Sequence, residues 1–143
     1  MRRPTFARVS EAAAAGIVAA SAGFTLGWLG PSALVAFPIL LPAMALAAGP
    51  GMVLGAFVLV HVVDAEAHAG AGRNAIRGTA VLIALAAGGL NLLAAQLAWS
   101  WFLDGFPQFT LREMPMAHLL GGVGGGLGMA WGIAHDVEPE AGP

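Results

Sequence analysis

The sequence predicts an all-α, multi-pass integral membrane helical bundle of about five short transmembrane helices, or four if two neighbouring runs join. Three observations predict it. Of 143 residues, 58% are hydrophobic and only 10% charged, with a mean hydropathy of +0.79. A soluble domain carries about 25% charged residues, and so few charges cannot cover a water-facing surface without large apolar patches. The apolar residues also fall into runs near the ~20 residues that cross a bilayer, separated by Gly-Pro or charged punctuation. Finally, the 21 glycines cluster inside these runs, as small residues do where membrane helices pack closely.

At this length the chain forms one domain. Residues 1–11 make a basic N-terminus, 12–134 the transmembrane helical domain, and 135–143 a flexible, acidic C-terminal tail. Arg2, Arg3 and Arg8 lie just before the first apolar run, which places the N-terminus in the cytoplasm by the positive-inside rule. A cleaved signal peptide ending near Ala20-Ser21-Ala22 is the competing reading of this start. The Ala-rich middle and Glu11 argue against it. Arg in place of Lys, with abundant Ala and Gly, fits a GC-rich genome and a prokaryotic plasma membrane.

The first span is about 12–29, with the small-residue pairs Gly16/Ala20 and Gly23/Gly27 and aromatic residues Phe24 and Trp28 toward its end. Gly30-Pro31 signals a turn. The second span is about 32–48. Pro38 and Pro42 stand one turn apart within it. Each removes a backbone donor and crowds the preceding turn, so a helix kink or break is expected there. Gly49-Pro50-Gly51 reads as a tight turn. The third span is about 52–69, and a Gly/Ala-rich linker, 70–74, follows.

The fourth span, about 76–101, contains Asn91 and Gln96, which seek hydrogen-bond partners on other helices. The loop 103–114 mixes Phe106 and Phe109 with Asp104, Arg112 and Glu113 and reads as a surface-lying segment. The fifth span, about 116–134, holds overlapping G-xxx-G pairs: Gly121/Gly125, Gly122/Gly126, Gly124/Gly128 and Gly128/Gly132. Close helix packing through Gly121, Gly124, Gly125, Gly128 and Gly132 is the expected role. No G-x-G-x-x-G triplet or G-K-[ST] occurs in the run, so a phosphate loop is excluded.

Chemistry concentrates in Gly51 to Arg77. His61, Asp64 and His68 fall at i, i+3, i+7 and share one helix face, while Glu66 points elsewhere. Two imidazoles and a carboxylate suit a divalent transition metal or a proton relay. Three groups from one helix seldom complete a site. The ends of the third and fifth spans lie on the same side of the membrane, so His135 and Asp136 are the expected additional ligands. His118 lies at the opposite face. The spacing is not H-E-x-x-H, the serines lack a G-x-S-x-G context, and there are no cysteines. No enzyme activity is expected. With no lysine and no basic run, neither is a nucleic-acid partner.

The expected function is therefore a small permease or channel-like component that moves a metal cation or protons past His61, Asp64 and His68. The alternative is a structural or accessory subunit without catalytic activity. A bundle this small is thin for enclosing a path alone, so its partners are the lipid bilayer and either further copies of itself or other membrane subunits.

Overall fold

The structure is a computed structural model, and it describes residues 5–30, 37–102 and 115–134. Among these residues there are four α-helices and no strand: α1 (Thr5–Leu29), α2 (Phe37–His68), α3 (Arg73–Phe102) and α4 (Pro115–Ala134). Each helix packs on its neighbours around a ring, in the order α1–α2–α3–α4 and back to α1, and α2 barely meets α4 across the diagonal. Residue pairs fix the directions. Gly16 meets Met52, Gly55 meets Ala87, Gly88 meets Gly122, and Gly132 meets Ala12, so every adjacent pair is antiparallel. The result is an up-down-up-down bundle.

The expectation of five helices is corrected to four, because the second and third runs are one helix. α2 continues through Pro42 and Pro50, both inside it. Pro38 stands in its first turn, where a missing N–H costs nothing because that donor has no intrahelical acceptor. Pro42 and Pro50 are exposed, so their rings project outward. A proline inside a helix costs about 3 kcal/mol. Ending the helix at Gly49-Pro50-Gly51 would instead free several amides, and each one unsatisfied in an apolar medium costs several kcal/mol. Ending it there would also expose Ala48 and Met52, which are completely buried. The predicted tight turn is therefore a stretch of helix, and the helix does not break at Pro38 or Pro42.

Two further boundaries differ. α1 starts at Thr5 rather than near residue 12, which takes Arg8 and Glu11 into the helix. The 70–74 linker shrinks to a compact turn. Gly70 adopts a positive φ of 75°, its N–H donates to the Ala67 carbonyl, and the Ala71 N–H donates to the Glu66 carbonyl. This pair of bonds is the Schellman C-cap, which glycine favours because it carries no Cβ penalty in the left-handed region.

Packing is tightest where α1 meets α4. A Cβ placed on Gly124 would stand 2.7 Å from the Ala19 carbonyl oxygen, and one on Gly128 2.5 Å from that of Ala15. Backbone therefore lies against backbone. On the other side of α4, a Cβ on Gly126 would lie 2.7 Å from the Ala84 oxygen of α3. The glycine-rich α4 is thus packed on two faces at once. Met52, Leu59, Met129 and Ile133 fill the centre with no exposure at all. Ser21 and Thr25 are buried too, and their hydroxyls donate to the carbonyls of Ile17 and Ser21 at 2.8 Å each, so α1 satisfies its own polar groups.

Candidate functional site

The antiparallel ring brings the start of α1, the end of α2, the start of α3 and the end of α4 to one end of the bundle. This end holds His61, Asp64, Glu66 and His68, along with Arg8, Arg73 and Arg77. The inner face of α2 runs through Met52, Ala56, Leu59, Val60 and Val63, all buried. His61 and His68 are exposed and lie on the opposite face. The spacing rule for a shared face holds at these positions, and that face turns away from the other three helices.

Asp64 sits at the edge of that face and reaches α1. The Arg8 guanidinium donates from both terminal nitrogens, Nη1 to Oδ2 and Nη2 to Oδ1, each at 3.0 Å. The Arg8 side chain is only 6% exposed and that of Asp64 31%. A two-pronged Arg–carboxylate contact is both strong and geometrically selective. It matches the negative charge of Asp64 with a fixed cation and ties α1 to α2.

His61 and His68 share one local device. Nδ1 of His61 lies 2.8 Å from the Phe57 carbonyl oxygen, and Nδ1 of His68 lies 2.6 Å from that of Asp64. A carbonyl only accepts, so in the neutral ring Nδ1 carries the proton. Nε2 is then left with its lone pair. Histidine metal ligands are commonly oriented in this way, with the second ring nitrogen donating to a backbone carbonyl. Phe57 also lies against the His61 ring, with centroids 4.2 Å apart. Both rings lie on the exposed face of α2.

Among the described residues, no three His, Asp or Glu side chains come together as a metal-holding group. Asp64 is joined to Arg8, and His135 and Asp136 lie outside the described residues. His118 is at the far end of the bundle, 9% exposed and edge-on to Phe24 with centroids 5.3 Å apart. The side chains of Asn91 and Gln96 also lie outside those described. Gly121, Gly124, Gly125, Gly128 and Gly132 all lie along the side of α4 that faces α1.

Two features of this end are not evident from helical spacing. One is the Arg8–Asp64 pair, whose signal is that both residues stand one turn from helix ends that meet once the chain has four helices. The other is Glu66, whose Oε2 is buried with no hydrogen-bond partner among the described residues. Glu66 follows Val63 by three residues, on the flank of the inner face of α2. Comparison of the chain with known protein families, curated proteins and solved structures gives no match.

Proposed function

We propose that the chain is a four-span integral membrane protein that works as a subunit of a larger membrane assembly. The observation that carries the membrane reading is the exterior of the bundle. Large apolar side chains face outward on every helix: Val18 on α1, Leu54 on α2, Leu82 and Leu90 on α3, and Leu119 and Trp131 on α4. α1 and the Ala48–His68 part of α2 are long and apolar enough to cross a membrane. α4, at 20 residues, contains no charged side chain, and neither does α3 beyond Arg77. Contiguous apolar surface of this extent needs lipid or a partner to cover it.

Orientation follows from charge. Arg8, Arg73 and Arg77 lie at one end of the bundle; in sequence Arg2 and Arg3 precede α1 and Arg112 falls between α3 and α4, so by the positive-inside rule the charge count favours both termini in the cytoplasm.

The subunit reading rests on where the polar groups are. Among the described residues the interior is mostly close-packed backbone and apolar side chains, the buried Ser21 and Thr25 hydroxyls bond to carbonyls of α1 itself, and His61 and His68 are exposed on the outer face of α2. The face they occupy is the one that a neighbouring subunit would complete. This placement also supports a second reading, in which a divalent transition metal or a proton passes along His61 and His68 between subunits rather than through one bundle.

Native mass spectrometry of the full chain, extracted in mild detergent, tests the first reading. Assemblies of more than one chain are expected, and a lone monomer across detergents sinks it. Metal content, wild type against His61→Ala/His68→Ala, tests the second. Bound Zn, Ni, Co or Cu lost in the variant supports it, and a wild type at background removes the metal.

A further inference from the structure

Between α3 and α4, at the arginine-bearing end, a cavity of about 270 Å³ opens on the outer face of the bundle. Its floor is buried: Ala80 is 5% exposed and Ile133 not at all. Val81, Leu127 and Trp131 form its exposed walls. Every lining side chain is apolar except Arg77, which is exposed at the rim and has no carboxylate partner among the described residues. Arg73 stands one helical turn away on the same face of α3.

We infer that this groove holds a phospholipid with an anionic headgroup, one acyl chain lying against Ala80, Val81, Leu127 and Ile133 and the phosphate at Arg77. The inference rests on the membrane reading above and adds a specific ligand to it. Charge complementarity selects the occupant. An apolar trough inside a bilayer fills with acyl chain whatever the headgroup, but an exposed guanidinium at the trough's mouth discriminates among headgroups. Guanidinium is planar and matches phosphate oxygens in pairs. Trp131 occupies the same mouth, three residues from the end of α4, where an indole suits the boundary between hydrocarbon and headgroup. A basic pocket between spans on the cytoplasmic side is the arrangement that recognises anionic lipid, and the arginine count assigns this end to the cytoplasm. A second helix is not the occupant, because Leu127 and Trp131 flank a short pocket at one end of the bundle rather than a groove along its length.

The test uses the full chain, purified in a neutral detergent and stripped of lipid. Retained lipid is counted by native mass spectrometry after adding phosphatidylglycerol or phosphatidylcholine, with glycerol 3-phosphate as the free-phosphate arm. One cation near a headgroup is worth roughly a fivefold preference for the anionic lipid. Arg77→Gln is expected to remove that preference and Arg77→Lys to keep only part of it, since an ammonium retains the charge but not the paired contact. Leu127→Trp, at a half-exposed position, is expected to lower retention of both lipids by filling the trough. Equal retention of the two lipids by the wild type overturns the inference, as does a preference that survives Arg77→Gln. Displacement of phosphatidylglycerol by equimolar glycerol 3-phosphate overturns it too, since the acyl chain would then contribute nothing. Alkaline carbonate extraction separates the two levels. Release of the chain from membranes sinks the membrane reading and this site with it, whereas retention in membranes without lipid preference sinks the site alone.

Discussion

Arg8 and Asp64 are 56 residues apart in sequence and make two hydrogen bonds. A half-buried ion pair is weak evidence of net stability, but removing Asp64 takes two hydrogen bonds from a nearly buried guanidinium. Asp64→Ala is therefore expected to cost about 2 kcal/mol, read as a lower melting temperature by circular dichroism in detergent. The double variant Arg8→Met/Asp64→Leu should recover much of that loss, because it removes both charges together. A double variant as unstable as Asp64→Ala would show that packing, not charge, is what Asp64 supplies. Glu66 gives the opposite expectation. Its buried Oε2 has no partner among the described residues, so Glu66→Met should raise stability by about 1 kcal/mol, the lower end of the cost of an unsatisfied buried group. Asp64 was legible in the sequence as a member of the His61–His68 stripe. What it touches was not, because helical spacing fixes which residues share a face and says nothing about the direction in which that face points.

At the scale of the helix, glycine and proline act differently by position. Gly124 lies against the Ala19 carbonyl, while Gly89 has nothing within 4 Å of an added Cβ. Gly124→Ala should therefore push α1 and α4 apart and lower the melting temperature. Gly89→Ala should raise stability by up to about 1 kcal/mol through helix propensity alone. Thermal melts of the two variants side by side check the pair. Pro50→Ala should also stabilise α2, by up to about 3 kcal/mol, since it restores an N–H toward the Leu46 carbonyl. The glycine spacing in α4 could be read from the sequence, because G-xxx-G repeats have a steric meaning that survives any topology. The run through Pro42 and Pro50 could not. Local rules weigh a proline against its own turn, and the balance here is decided by buried neighbours such as Ala48 and Met52, which come from packing.

The proposed topology of the whole molecule makes a simple prediction. The chain has no cysteine, so single cysteines can be introduced without background. An impermeant maleimide applied to intact cells should label Asp104→Cys and leave Arg73→Cys untouched. The reverse pattern would invert the orientation, and labelling of both would dismantle the four-span arrangement. The count of helices depends on one local decision, whether 49–51 is a turn or a helix, and under the proposed membrane topology that decision moves Arg73 and Arg77 to the other side. This is why composition alone indicated a membrane bundle but left its topology open.

The closest backbone approach in the ring joins its first helix to its last, with Gly23 against the Leu120 carbonyl. During synthesis α1 emerges more than 80 residues before the partner that covers its small-residue face. In the proposed membrane setting, that face, with Gly16, Gly23 and Gly27, is open to any other small-residue helix until α4 arrives. The nascent chain is therefore vulnerable to capture by the wrong neighbour, and a chain cut short before residue 115 would remain so for its whole lifetime. Quality control in the membrane has a definite feature to recognise in it: an uncovered glycine seam.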